Sequence, residues 1–198
     1  MSKRVSLSLF ASVVLLGAVA CESETAPPPQ TTAATMSTFT VGDIFGALRA
    51  IHAAEIEHGA LAQKKAVDPR VKAFATNVLD DHERRTGRDD ELIRTLRIKP
   101  KESRVSTWIR AASNRRTARL DSLSGDDFDR AYLEEQIRYY RSVLETFDND
   151  LTPVARKELV KANVTEARDR SSEHLREAQD LCGALACDDA QSRTSGSR

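Results

Sequence analysis

The sequence predicts an all-α protein, an antiparallel bundle of four long helices with one shorter connector helix between the second and the third. Apolar residues recur at spacings of three and four through residues 39–182, which is the period of a helix. Helix-start signals separate these stretches, and no β-branched run with a period of two competes with them. Short connections after the first and the third long helix favour antiparallel neighbours.

The first two long helices meet at Asp68-Pro69. Thr40 and Asp43 have the spacing of a capping box at the start of the first helix. Asp68 is the expected N-cap of the second helix, with Pro69 in its first turn, and Pro100 ends that helix. The apolar stripes of the two helices contain Val41, Ile44, Leu48 and Ile51, then Val71, Ala75, Val78, Leu92 and Leu96.

Three further helices follow Pro100. The connector helix, over residues 105–123, is expected to turn Trp108, Ala112 and Leu120 to one side. Ser124 and an aspartate three residues later have capping-box spacing at the start of the third long helix. Thr152-Pro153 is the expected start of the fourth. The stripes of the last two helices contain Tyr132, Val143 and Phe147, then Val160, Ala167, Ala178 and Leu181.

Residues 1–20 have the pattern of a secretory signal that ends at a lipidation site. Lys3 and Arg4 precede an uncharged run that is shorter than the ~20 residues of a membrane-spanning helix. Small residues lead directly to Cys21, which resembles the bacterial lipobox, whose cysteine is lipidated and begins the mature protein. The alternative is an ordinary secretory signal followed by an incidental cysteine. The lipobox interpretation predicts a protein anchored to the bacterial envelope by lipid, with its domain in the periplasm or at the cell surface.

Two polar segments flank the predicted domain. Residues 21–38 carry three consecutive prolines and many Ser and Thr, which predicts a disordered, extended linker. Residues 183–198 form the predicted C-terminal tail. Lipidation of Cys21 leaves an even pair of cysteines, Cys182 and Cys187, which either close a small disulfide loop or remain thiols. Gly183 offers the helix stop that such a loop needs.

Several polar residues fall on the predicted inner stripes of the long helices. Glu55 and His58 continue the stripe of the first helix, and His82 continues that of the second. The corresponding residues of the third and fourth helices are Gln136, Tyr140, Asn163 and His174. Distances from the predicted turns place Glu55, His82 and Tyr140 at one level, with His174 ~10 to 15 Å away along the bundle.

Two interpretations of these inward groups remain open. The groups hydrogen-bond to one another and fix the register of the helices, with Gln136, Tyr140 and Asn163 as members of the polar core. Alternatively, a divalent metal (Fe, Mn or Zn) binds among Glu55, His58, His82 and His174. A di-metal bundle uses two Glu-x-x-His motifs, whereas this chain has the single one that ends at His58. The sequence therefore favours the polar core.

The chain also resembles a bacterial envelope family, domain of unknown function 4142. The matching stretches are residues 55–62, 68–75, 81–82, 123–133, 136–137 and 174–175, within about residues 40–181. The resemblance implies a ferritin-like bundle and an envelope location, without an assigned biochemistry. The family commonly has a histidine where this chain has Tyr140, and a phenol with a pKa of about 10 is a poorer metal ligand. The family more usually has an apolar residue at His58.

Composition and motifs limit the classes of function. The 30 basic and 30 acidic residues give no net charge, which argues against a nucleic-acid partner. No hydrolase, zinc-protease or phosphate-loop motif occurs. The connector-helix arginines are expected on a solvated face, or against anionic lipid headgroups or a partner: Arg110, Arg115, Arg116 and Arg119. We expect a non-enzymatic binding or structural module; the alternative is a ferritin-like metal-binding protein or oxidase.

Overall fold

The computed structural model describes residues 39–187, and these residues are almost entirely helical. The helices are α1 (Val41–Lys65), α2 (Pro69–Leu96), α3 (Arg104–Asp121), α4 (Gly125–Thr146) and α5 (Glu158–Ala184), and a π-helical segment (Phe147–Leu151) continues α4. No strand occurs within residues 39–187. The all-α prediction is therefore confirmed, with α3 as the shorter connector. The predicted signal, Cys21, the linker and residues 188–198 lie outside the described residues.

The starts of α1 and α2 follow from their capping residues. The Asp43 carboxylate accepts a hydrogen bond from the Thr40 backbone N–H at 2.7 Å, and the Thr40 hydroxyl accepts one from the Asp43 N–H at 3.4 Å. The Asp68 carboxylate accepts a hydrogen bond from the Arg70 N–H at 2.8 Å. These side chains satisfy N–H groups that have no partner inside the helix. Both predicted starts are confirmed.

The start of α5 lies later than the sequence predicts. The π-helical segment carries the helical path of α4 on to Leu151, where the Thr152 N–H donates to the Phe147 carbonyl at 2.9 Å. A turn follows, and α5 begins at Glu158 rather than at Thr152. The prediction that the Ser124 side chain caps α4 is also wrong. Ser124 is the N-cap residue, but its side chain makes no capping hydrogen bond.

Two apolar clusters at opposite ends of the bundle reveal the directions of the helices. The first cluster includes Ile44, Leu48, Val143, Phe147 and Val160, and the second includes Ala62, Phe74, Phe128, Tyr132 and Cys182. Along the chain, α1 and α5 pass from the first cluster to the second, whereas α2 and α4 pass from the second to the first. The helix pairs α1–α2 and α4–α5 are therefore antiparallel. Helix α3 crosses the length of the bundle, with Ile109 in the first cluster and Leu120 in the second.

Helix α1 packs very closely against the segment that leads into α3. The Lys101 N–H donates to the Gly42 carbonyl at 2.9 Å. A Cβ atom at Gly46 would lie 1.8 Å from the Lys101 carbonyl oxygen. Only a glycine lets the two backbones approach this closely, so Gly46 sets the position from which α3 begins.

We predict that Gly46→Ala lowers the free energy of unfolding by about 1 to 3 kcal/mol, because the new methyl group forces the Lys101 backbone away from α1. Gly87→Ala is the matched control, since a Cβ at this α2 position meets no atom within 4 Å. The control should instead stabilise the protein by about 0.5 to 1 kcal/mol through helix propensity. Urea unfolding followed by circular dichroism measures both variants. Equal effects of the two substitutions would contradict the role of the close approach.

Candidate functional site

A layer of buried polar side chains crosses the bundle between the two apolar clusters. Every polar residue predicted to face inward on the long helices is buried, and the most exposed of them, Asn163, is 8% exposed. On α1, α2 and α5, the residues Glu55, His82 and His174 lie between positions of the first cluster and positions of the second. We call this layer the polar belt: His52, Glu55, His58, Asp81, His82, Arg116, Gln136, Tyr140 and His174.

A buried ion pair between Glu55 and Arg116 lies at the centre of the polar belt. Glu55 is fully buried and Arg116 is 5% exposed. The guanidinium donates to Glu55 Oε1 at 2.9 Å and to the Gln136 side-chain oxygen at 2.7 Å. Gln136 in turn donates to the Tyr132 hydroxyl at 3.0 Å. The Arg116 guanidinium also lies 4.1 Å from the ring centroid of Tyr139, a cation–π contact.

The position of Arg116 corrects the prediction for α3. The inward face of this helix carries Ile109, Ser113, Arg116 and Leu120, each of which is buried. Trp108, predicted on the inner side, is 43% exposed. The two faces differ by one residue, or about 100° of rotation. Arg116 is seven residues after Ile109 and four before Leu120, and this spacing was the available signal for its inward direction.

A second contact between α1 and α3 adjoins this ion pair. The Thr117 hydroxyl donates to Glu57 Oε1 at 2.9 Å and lies 3.1 Å from His58 Nε2. His58 is fully buried, so Thr117 is the neighbour that satisfies one of its ring nitrogens. The chain therefore uses the single Glu-x-x-His motif to fasten α3 to α1.

A histidine pair joins α1 to α2 in the polar belt. His52 Nδ1 and His82 Nδ1 lie 2.9 Å apart, a distance at which one nitrogen donates and the other accepts. His52 Nε2 lies 3.2 Å from Asp89 Oδ2, and the Asn163 amide donates to Asp89 Oδ1 at 2.7 Å. Sequence reasoning included His82 and Asn163 but missed His52 and Asp89. His52 is four residues after Leu48 and three before Glu55, so helical spacing was its signal.

His174 lies at the level of the other belt residues, which corrects the predicted axial offset. Its ring centroid is 5.8 Å from that of His82 and 5.7 Å from that of Tyr140. The prediction counted from residue 152, whereas α5 begins at Glu158 and so brings His174 closer to the start of its helix. His174 Nε2 lies 3.3 Å from Asp81 Oδ2, which also accepts from Arg85 at 3.3 Å.

Burial and neighbouring charge change the pKa values of the belt residues. Burial opposes ionisation of Glu55, but the charges of Arg116, His82 and His58 outweigh it and lower its pKa to about 2. Burial lowers the pKa of His82 to about 3, helped by the adjacent His52. Burial and the charge of Arg116 lower the pKa of His58 to about 4. Burial also opposes ionisation of Asp81, but His174 and Arg85 outweigh it and hold the pKa of Asp81 well below its usual range. Glu55 is therefore an anion at neutral pH, and His58 and His82 are uncharged.

Five buried side-chain atoms of the polar belt make no hydrogen bond within the described residues. They are Glu55 Oε2, His58 Nδ1, His82 Nε2, Arg116 Nε and the Tyr140 hydroxyl oxygen. Burial raises the pKa of Tyr140, and so does the nearby Glu55 carboxylate, which keeps the phenol protonated. A buried carboxylate oxygen and a ring nitrogen without partners are the atoms to which a water molecule or a cation would bind.

The geometry of the belt nonetheless differs from a built metal site. No group of three or more His, Cys, Asp and Glu side chains in residues 39–187 is arranged to hold a metal ion. Of the four candidate ligands, Glu55 pairs with Arg116, His58 contacts Thr117, His82 contacts His52, and His174 contacts Asp81. Each candidate ligand therefore has a protein partner for at least one of its polar atoms.

The two C-terminal cysteines lie where α5 ends. The helix continues through Gly183 to Ala184, and the chain turns at Ala186, whose φ is 52°. This turn places the Cys187 N–H 2.9 Å from the Cys182 carbonyl oxygen. No disulfide joins the cysteines in this structure. Burial raises the pKa of the Cys187 thiol, which is hydrogen-bonded to Cys182. The disulfide between these cysteines stays a prediction.

Comparisons with known proteins identify a family and a similar structure, but their descriptions name no activity. The model of the family described as "Domain of unknown function (DUF4142)" matches residues 25–181. The crystal structure of a putative secreted protein DUF305 from Streptomyces coelicolor is similar, with a TM-score of 0.62 at 12% sequence identity. That match covers 75% of this chain and 95% of the other. No curated protein matches.

We predict that acid destabilises the fold well above the pH at which carboxylates titrate. The unfolded chain protonates His58 and His82 near pH 6.5, but the folded chain does so only near pH 4 and pH 3. Stability is therefore full above pH 6.5 and falls as the pH decreases, by about 1.4 kcal/mol per pH unit for each proton. The lowered pKa values of Glu55 and Asp81 add a loss below about pH 4.5, in the same direction.

Urea unfolding at several pH values measures this dependence, and His58→Leu is the variant that isolates one proton. The variant should have a shallower slope between pH 6.5 and 4 than the wild-type protein. A wild-type free energy of unfolding that stays constant from pH 7 to pH 4 would contradict the assignment of two buried neutral histidines.

Proposed function

Because the chain belongs to the family described as Domain of unknown function (DUF4142), whose description carries no activity, we propose its role from the polar belt. The protein is a non-enzymatic helical module, a binding or structural unit, held at the bacterial envelope by a lipid on Cys21. The observation that carries this proposal is the ion pair between Glu55 and Arg116, at 2.9 Å in the centre of the bundle.

The ion pair favours a structural use of the belt over a metal site. A divalent cation bound by Glu55 would lie about 2 Å from a carboxylate oxygen. The Arg116 guanidinium already occupies that neighbourhood and would repel the cation, since both are positive. Arg116 also connects Glu55 to Gln136, so the belt links α1, α3 and α4 through one buried cation. Such a network fixes the register of the helices against one another.

We further propose that the fold is a ferritin-like four-helix bundle. The helix directions support this arrangement, because α1 is antiparallel to α2 and α4 to α5, and a long crossover separates the two pairs. Helix α3 makes the crossover. In this arrangement the inward polar residues of the four long helices meet at mid-height, where ferritin-like proteins hold their metals.

An envelope location is supported by two observations. The structural neighbour from Streptomyces coelicolor is titled a putative secreted protein. The uncharged run before Cys21 has the length of a signal sequence rather than of a membrane span. Separately, no helix in residues 39–187 combines the length and the hydrophobicity needed to cross a membrane. Lipid on Cys21 would attach the module to the membrane surface.

A ferritin-like metal-binding protein or oxidase is the second candidate. Glu55 Oε2, His82 Nε2 and the Tyr140 hydroxyl favour it, since all three atoms are buried and make no hydrogen bond to the part of the chain that the structure describes. An Fe, Mn or Zn ion among them would be held by Glu55 and His82, with His174 nearby. The electrostatics oppose this candidate, because Arg116 lies on the same carboxylate.

We predict that Cys21→Ser releases the protein from the membrane, because acylation requires that thiol. Cell fractionation followed by immunoblotting measures the change, and mass spectrometry of the mature N-terminus identifies the acyl chains. Cys187→Ser is the control and should leave the protein in the membrane fraction. A mature wild-type protein with unmodified Cys21 would contradict the lipoprotein assignment.

We predict that Glu55→Gln lowers the free energy of unfolding by about 3 to 5 kcal/mol, because it leaves the Arg116 guanidinium buried without a counter-charge. Glu91→Gln, at an exposed position on α2, is the matched control and should change stability by less than about 0.5 kcal/mol. Thermal unfolding measures both variants.

The same melts with Fe²⁺, Mn²⁺ or Zn²⁺ separate the two candidate functions. The proposed module shows no metal-dependent rise in Tm. A saturable rise in the wild-type protein, absent in Glu55→Gln, would establish metal linkage and favour the metalloprotein.

A further inference from the structure

The side of α3 next to the ion pair forms one wall of a groove. Helix α3 packs mainly on α1 and touches α4 at few positions, which leaves a cleft between α3 and α4. Two hollows of about 330 and 300 Å³ lie along this cleft, and Trp108 and Ser142 line both. Trp108 is the sole tryptophan of the chain and is 43% exposed. A half-exposed indole between two hollows is a ready surface for stacking.

The hollow nearer the end of α3 is lined by more arginines than glutamates. Its rim carries the exposed side chains of Arg115, Arg119 and Arg138. Arg119 and Arg138 share one oxygen of Glu135, at 2.9 and 2.7 Å. Arg115 has no ion pair with any residue of the described part of the chain. Arg119 also lies 3.6 Å from Glu134 Oε2. Three exposed arginines therefore face two glutamates around this hollow, which we call the basic hollow.

The other hollow does not share this charge. Glu145 and Asp150 line it together with Arg104, so acidic side chains outnumber basic ones there. The contrast confines the positive potential to the basic hollow, on one side of Trp108. An anion would be attracted to that side alone.

Beneath the basic hollow, two buried polar atoms have no hydrogen-bond partner among residues 39–187. They are the Arg116 Nε and the Tyr139 hydroxyl oxygen, and both residues line the hollow. Arg116 and Tyr139 are 5% and 4% exposed. The Arg116 N–H is a donor and the hydroxyl can donate, so the partner that is missing is a hydrogen-bond acceptor. An oxyanion supplies that acceptor.

We propose that the basic hollow binds a small organic anion with a planar apolar body. The acidic group lies among Arg115, Arg119 and Arg138, and the apolar body stacks on Trp108 and Ala112. Guanidinium groups bind carboxylate, phosphate and sulfonate oxygens through paired N–H donors. The site deepens the proposed function by giving the binding module a class of ligand, and it rests on that function.

Anilinonaphthalene sulfonate is the probe, because it joins an aromatic body to a single anionic group. The neutral N-phenylnaphthylamine has the same rings without the sulfonate and is the matched control ligand. The protein is the mature chain with Cys21→Ser, which needs no detergent. Energy transfer from Trp108 to the dye reports binding next to the only indole. We expect saturable binding of the sulfonate at one site and much weaker binding of the neutral dye.

The variants locate the site. Arg115→Gln, Arg138→Gln and Trp108→Ala should each weaken sulfonate binding, measured by dye fluorescence, by about five- to tenfold. Arg94→Gln, an exposed arginine on α2, should change it by less than about twofold. Equal affinity for all four variants, or equal affinity for the two dyes, would overturn the proposal.

Vesicles distinguish a membrane surface from a soluble anion. Trp108 emission is measured with vesicles of phosphatidylcholine alone and with vesicles that contain phosphatidylglycerol. A blue shift with the anionic vesicles, without binding of the sulfonate dye, would assign this face to the membrane and overturn the proposal. If the protein does not bind the sulfonate dye, but the wild-type protein is retained in the membrane, the site is refuted and the proposed function stays intact.

Discussion

The ion pair between Glu55 and Arg116 is the contact on which the arrangement of the bundle depends. Both side chains are buried, so each charge is tolerated only while the other remains in place. The pair holds α1 to α3, and the second hydrogen bond of Arg116, to Gln136, adds α4. The connector helix α3 is thereby fixed by polar contacts to two helices of the bundle.

The polar belt separates two apolar clusters and gives the bundle its register. Apolar side chains of similar size can slide past one another by a turn at modest cost, but paired charges and hydrogen bonds cannot. The contacts of His52 with His82 and of His174 with Asp81 repeat this constraint between α1 and α2 and between α2 and α5. Burial of His82 in this layer, with the adjacent His52, keeps His82 uncharged at neutral pH and makes the fold sensitive to acid. Specific packing and pH sensitivity therefore have one physical origin.

Helix α3 has different tasks on its two faces. Its inner face neutralises Glu55, and its outer face presents Trp108 and exposed arginines beside a cleft. Because Arg116 lies under that cleft and is held by the core, the position of the outer face depends on the belt. A helical bundle can present a defined binding surface in this way.

The starts of the helices and the inward direction of their side chains can be predicted from the sequence, because both depend on residues that are close together in the chain. The capping box of α1, the N-cap of α2 and the inward direction of Glu55, His82 and His174 all follow from spacings of three or four residues. The family and the all-α class were likewise predicted and are confirmed. The structural role of the polar core, the lipid anchor on Cys21 and the disulfide between Cys182 and Cys187 stay predictions.

Tertiary structure alone decided which polar groups meet. The sequence predicts Arg116 on a solvated face, or against anionic lipid headgroups or a partner, because the carboxylate that makes its burial possible lies 61 residues away. Two faces of α3, one with Trp108 and one with Ile109, both show helical spacing, and only the packing on α1 selects between them. The level of His174 depended on a π-helical segment and a turn that delay the start of α5. Spacing along a helix determines which way a side chain points, whereas the partner of a buried charge is a residue far away in the chain.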